Sequence, residues 1–354
     1  MKRTLRPLTN WHARPLAWGP AFIAGIGCGL PLLLGLFSFH PGFLWAALGA
    51  FQASQANPLH RLGMLRMLMF CVLGACSTGL GFWVVEQHTY SLLIFAAFGL
   101  LLAWLQRFGK ESAKLGMGLA LCLCLGQGQQ GVSNLNNPYA VAMLFILGGL
   151  WVMLLAFFLR GLHGLRMWPH IPRLRSMLRV LRQHARHLPQ RKWRLHALGC
   201  ILALALSGLV VNLANLHRGY WLTITVLISL QLEFKGSLVR AVQSSLASLI
   251  AAGLLILLGY SLQSPVVMVS LLLPLIMLCR ALQANHYGLF VAQTTICFVL
   301  LAESLSLDWQ LPAIRLFNSL LGVAIGLMIS LLVYGLERWI KQRRSPVSPP
   351  LIDP

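Results

Sequence analysis

Three arginines stand inside, or at the edge of, long apolar runs: Arg66, Arg240 and Arg315. A guanidinium is a permanent cation with a planar fork of donors that matches a carboxylate. Polar side chains accompany them. Thr223 and Thr225 lie in the run that opens with Tyr220 and Trp221. Gln243, Ser244 and Ser248 follow Arg240, and Asn318 and Ser319 follow Arg315. Such groups are costly in hydrocarbon, so they are expected to face a protein interior. Tyr220, Trp221 and Phe234 offer aromatic faces beside them. Taken together this is chemistry for holding an organic anion: arginine for the charge, with Arg240 and Arg315 as contacts and Arg66 as a counterpart, and Thr223, Thr225, Gln243 and Asn318 as polar lining. Plainer readings stand beside it, with Arg240 as a charge anchor at the membrane surface, Trp221 as an interface residue, and Thr294 and Thr295 bonding backbone carbonyls. Bond-breaking chemistry has no comparable constellation. There is no nucleophile–base pair, phosphate loop or metal-ligand set, and the eight cysteines all lie in apolar segments. Cys122 and Cys124 form a CxC without a histidine cluster, so neither a metal nor another cofactor nor a disulfide framework is expected, and the chain does not read as an enzyme.

The elements that must position these residues are membrane helices. Of 354 residues, 58% are hydrophobic and 10% charged, and the mean hydropathy is +0.75. A soluble domain cannot hide that much apolar surface. The net charge of +21 sits between and beyond the apolar runs, which is a topology signal and not a nucleic-acid footprint. Twelve spans are predicted near 16–39, 42–55, 63–86, 91–106, 113–127, 138–160, 194–215, 219–232, 237–262, 264–279, 285–303 and 313–336. The first is read as a retained helix, because its run is long enough to span and lacks a small-x-small cleavage site. With the N-terminus inside, Lys2, Arg3, Arg6, Arg14, Arg61, Arg66, Arg107, Lys110, Lys114, Lys235, Arg240, Arg280 and Arg338 fall on the cytoplasmic side. Glu86, Glu303 and Asp308 fall outside, with Arg218 as the clear outer base. This alternation is what twelve spans with both termini cytoplasmic predict.

The chain also repeats. Gly27-Cys28, Arg66, Gly79, Cys122 and Gly148 correspond to Gly199-Cys200, Arg240, Gly253, Cys297 and Gly322, at offsets of 172 to 175. Six spans per unit return the chain to its starting side, so the units are parallel repeats. The predicted organisation is an all-α polytopic membrane protein: a first six-helix repeat over 1–160, a basic amphipathic linker over 161–193, a second repeat over 194–337 and a Pro-rich tail over 338–354. The linker, with Arg175, Arg179, Arg182 and Arg186 on one side, suits an anionic lipid surface. Two predicted segments are too short to cross a bilayer, Phe43–Gln55 and Tyr220–Leu232. Paired short segments at matching places in two repeats point to a pathway between them, expected here as a wet, cation-lined passage. Glu86, Glu233 and Glu303 are the few acidic candidates for a proton relay.

The stretch YWLTITVLISLQ followed by SLVRAVQSSLASLIAAG resembles the fusaric-acid-resistance and aromatic-acid-exporter (FUSC-type) superfamily. Tyr220, Trp221 and Thr223 fit the opening of its pattern, and Ser237-Leu238 and Arg240 fit the next part. Ser244 stands where that pattern has a second arginine, and Ala247-Ser248 where it has glycine-threonine. Asn285, Tyr287 and Thr294 or Thr295 resemble its penultimate helix, and Arg315, Asn318, Ser319 and Gly322 its last. The resemblance covers 194–337 and is weak in the first unit. It implies an exporter of aromatic or other organic carboxylates, with a small organic anion as substrate and lipid as surroundings. Plant malate channels resemble the same superfamily, so a passive anion channel is an alternative. A membrane protein of envelope assembly, docked on a partner through the basic linker, is another, and a homo-oligomer is compatible with all three.

Overall fold

The computed structural model describes residues 16–38, 40–56, 63–85, 87–128, 137–166, 190–214, 216, 218–230, 234–259, 264–283, 291–297 and 311–342, with the single positions 179, 183, 289 and 300. Lys2, Arg3, Arg6, Arg14, Arg61, Glu86, Glu233, Asn285, Tyr287, Glu303, Asp308, the tail from 343 on and the linker over 167–189 except 179 and 183 lie outside them; the predicted linker and tail otherwise continue the flanking helices, over 161–166, 190–193 and 338–342. Every regular element among the described residues is a helix: α1 Trp18–Phe37, α2 Phe43–Ser54, α3 Gly63–Val84, α4 His88–Gln106, α5 Lys110–Gly128, α6 Pro138–Arg166, α7 Gln190–Leu213, α8 Tyr220–Ser229, α9 Phe234–Gly259, α10 Pro265–Leu282 and α11 Leu311–Gln342. Residues 291–297 are helical as well. They fall within the eleventh predicted span.

Polarity is inside out. Phe22, Ile26, Leu30 and Leu34, four apart on α1, are exposed, as are Leu246, Leu249, Ile250 and Leu257 on α9. The interior holds Ser77, Thr78, Ser207, Thr225 and Ser229. Their hydroxyls donate to carbonyls one turn back in their own helices, as Thr78 does to Gly74 at 2.9 Å and Thr225 to Trp221 at 2.8 Å. That is the arrangement of a bundle whose solvent is lipid. Among the described residues six helices are long and apolar enough to cross a membrane: α1, α3, α6, α7, α9 and α11, with 20 residues in α1 and 29 in the apolar part of α11. The chain is a multi-pass membrane protein.

α2 and α8 are not lipid-facing. Ten of the twelve residues of α2 and nine of the ten of α8 are buried. At 1.5 Å per residue α8 is about 15 Å long, half a bilayer core. It ends earlier than predicted, because Leu230 has already turned extended, with ψ 114°. Neighbouring helices surround both. α2 packs on α1, α3 and α6, and α8 on α7, α9, α11 and, from the first half of the chain, α5. Glycines allow the closest approaches. A Cβ on Gly148 of α6 would lie 1.8 Å from the carbonyl oxygen of Ala46 in α2, and one on Gly322 of α11 would lie 2.5 Å from that of Leu222 in α8. The two halves of the chain also meet where α4 packs on α7 and α1 on α10. At the first of these Trp193 Nε1 donates to Ala103 O at 2.9 Å, and His196 is paired with Gln106.

Candidate functional site

The first turn and a half of α11 carries Arg315 into the interior, where it is 7% exposed. Its guanidinium carbon lies 3.4 Å from the ring centroid of Trp221, the second residue of α8. Cation and aromatic face are therefore in direct contact, an interaction that grows as water is excluded. Arg315 Nη2 donates to Thr295 Oγ1 at 2.8 Å. The Thr295 hydroxyl spends its own hydrogen on Val291 O at 2.8 Å, so it meets the arginine as an acceptor. Among the described residues Nε and Nη1 of Arg315, both buried, have no hydrogen-bond partner. A buried cation without a counter-charge is costly, and each free N–H of a guanidinium is a strong, charge-assisted donor to an anionic oxygen.

A second guanidinium stands close by. Arg218 precedes α8 in the left-handed region, with φ 54°, a conformation few residues other than glycine adopt readily. Its carbonyl accepts from Asn318 Nδ2 at 3.3 Å, and its Nη1 reaches Gly128 O at the end of α5 at 3.4 Å. Its buried Nε is unpartnered too. Tyr220 lies within electrostatic reach of both arginines and stacks on Trp221, with ring centroids 4.6 Å apart. Thr223 is fully buried, with its hydroxyl oxygen unpartnered.

Of the residues singled out from sequence, Trp221 and Thr225 of α8 thus meet α11, which carries Arg315 and Asn318, while Tyr220 packs on Gly128 of α5 and Thr223 is buried on α8. Arg240 and Gln243, on α9, are half-buried at another level. Phe234 at the start of α9 stacks on Tyr334, with centroids 5.4 Å apart, and α9 packs back along α11 from there. Six residues on, Arg240 is level with residue 328 or so, about 20 Å from Arg315 along the axis. The two arginines expected to act together therefore do not share a site. Phe234, expected as a stacking face for a ligand, is taken by Tyr334. Arg66 is half-buried near the start of α3 in the first half of the chain.

The space between the halves also departs from expectation. The cavity there, of ≈ 30 Å³, is lined by Cys28, Leu32, Ala47, Leu48, Phe51, Leu272, Ile276 and Cys297. Its walls are apolar, not wet and cation-lined, because α1, α2 and α10 turn aliphatic faces toward one another. Sequence reasoning passed over Arg218 as an outer loop base. Its signal was position, one residue before the Gly219-Tyr220 helix start.

The site is thus an interior cation on an aromatic face, within a bundle whose outside is apolar. Residues 197–329 match a family model described as fusaric acid resistance protein-like. No curated protein matches the chain. No solved structure matches it either.

Proposed function

We propose that the protein is a transporter of small organic anions, exporting aromatic or related carboxylic acids from the cytoplasm of a bacterial cell across its inner membrane. The carrying observation is Arg315, buried on Trp221 with Nε and Nη1 unpartnered. A carboxylate would supply the missing counter-charge and accept from a free N–H, and an aromatic body would extend the Tyr220–Trp221 pair. The family description of residues 197–329 supports resistance by transport. An inside-negative potential favours outward movement of an anion by about 2.3 kcal/mol per charge per 100 mV, so export needs no coupled ion. The protein's part is binding and passage and not catalysis, with lipid around it and no role for nucleic acid.

Packing supports twelve spans in two parallel repeats. α7, α8, α9 and α11 touch one another in five pairs, α7–α8, α7–α11, α8–α9, α8–α11 and α9–α11. α1, α2, α3 and α6 form the corresponding five. The contacts between halves, α4–α7 and α10–α1, exchange under the same correspondence, as a two-fold axis along the membrane normal requires. The charges support both termini in the cytoplasm. Arg107, Lys192, Arg194 and Arg280 gather at the end where α4 and α10 finish and α7 begins, opposite Arg218 and Arg315.

Binding tests the site. Purified protein titrated with benzoate is expected to gain thermal stability as RT ln(1 + [L]/Kd), about 2.7 kcal/mol at a hundredfold excess over Kd. Arg315→Ala is expected to gain none. An equal gain in Arg315→Ala would take the anion site away from Arg315.

A further inference from the structure

At the other end of the bundle a second arginine joins the two halves. Arg280 stands in the last turn of α10. Its Nε donates to Ser54 O at 3.0 Å and its Nη2 to Gln55 O at 3.3 Å, both at the C-terminal end of α2. Its Nη1 donates to Gln283 Oε1, and Gln283 Nε2 returns to Gln55 Oε1 at 3.0 Å. The four hydrogen bonds close a ring from one half of the chain to the other. A buried short helix leaves its last carbonyls without partners, and a cation at its C-terminus suits both them and the helix dipole.

The ring does more than cap α2. The helices it joins, α2 and α10, are the ones whose sides enclose the apolar cavity, through Ala47, Leu48 and Phe51 on one and Leu272 and Ile276 on the other. α10 packs along α1 but reaches α2 by these side-chain bonds. Hydrogen bonds at a bundle end can be exchanged for water at small net cost, which interlocked apolar side chains cannot. Cys297 completes the lining. It is two residues from Thr295, which holds Arg315, and within electrostatic reach of the guanidinium. Cys279, next to Arg280, meets Thr294 Oγ1 through its Sγ at 3.3 Å, so latch, apolar space and anion site adjoin one another at the seam between the halves. At ≈ 30 Å³ the space has room for a water molecule or so, so an organic body fits only once α2 and α10 part.

We infer that the Arg280–Gln283–Gln55 ring is a gate, and that the cavity behind it is the compartment through which the apolar body of the transported anion passes. The inference rests on the transport reading, and its test does not depend on flux. Cys28 and Cys297 line the compartment and are natural reporters of its opening, while Cys124, fully buried in α5, reports general loosening. Full-length protein in inside-out vesicles would be treated with a small charged methanethiosulfonate and each cysteine read by peptide mass spectrometry. Arg280→Gln is expected to label at Cys28 and Cys297 about tenfold faster than wild type, with Cys124 unchanged. Arg280→Lys, which keeps the cation but not the fork, is expected to fall between. Wild-type labelling rates at Cys28 and Cys297 in both variants would overturn the gate, and so would a parallel rise at Cys124 in both. Gated labelling alongside undiminished benzoate binding by Arg315→Ala would leave the gate standing and remove the anion site.

Discussion

At the residue scale the question is what a buried arginine is doing on an indole face. Arg315 has one neutral acceptor, Thr295 Oγ1, and one aromatic face, Trp221. Neither is a counter-charge. Replacing Thr295 by valine removes the acceptor and frees Nη2 while leaving the helix shape intact. Trp221→Leu removes the quadrupole, worth about 2 kcal/mol for a desolvated pair. That corresponds to about thirtyfold weaker benzoate binding, measured by titration against wild type. Thr295→Val is expected to change affinity less than Trp221→Leu. The reverse order would mean that the hydroxyl and not the ring sets the guanidinium. Much of this site was legible in sequence, since Tyr220, Trp221, Thr223, Arg315 and Asn318 are polar or aromatic residues stranded in apolar runs. The separation of Arg240 from Arg315 was not. Both sit on helices with the same kind of pattern, and the distance between them depends on how α9 docks along α11, a packing fact that periodicity does not carry.

At the element scale, α2 and α8 are short helices enclosed by longer ones. Their shortness was visible as charge and proline at their ends, as with His40-Pro41-Gly42 before α2. What satisfies their ends was not visible, because the partners are far away in sequence: Arg280 lies 226 residues from Ser54, and Asn318 lies 100 from Arg218. Helix approach can be tested through glycine. Gly148→Ala sets a methyl against the backbone of α2, where nothing flexible can yield, and overpacking of this kind costs about 1–3 kcal/mol. Gly253, whose Cβ would meet nothing within 4 Å, is the control. Gly253→Ala is expected to be neutral or to stabilise α9 by up to about 1 kcal/mol. Thermal unfolding in detergent should separate them, with Gly148→Ala lower in Tm and Gly253→Ala unchanged or higher. Equal Tm values would mean that α6 and α2 are not so close.

At the scale of the whole molecule, two halves with matching helix contacts meet along a seam. The Arg280 ring, an apolar cavity and Arg315 adjoin one another along it. Gly148 and Gly322, 174 residues apart, each abut a short helix. The apolar character of the seam did not follow from composition, because its lining residues come from four separate helical segments and are ordinary core residues in each. The most direct measurement is potential-driven benzoate flux in proteoliposomes, with a potassium diffusion potential set by valinomycin, for wild type and for Arg315→Ala. Wild-type flux is expected to saturate with benzoate and to rise with the potential that drives the anion out of its compartment, while Arg315→Ala loses at least about tenfold of it. Undiminished, equally saturable flux through Arg315→Ala, from protein inserted to the same level, would contradict the account.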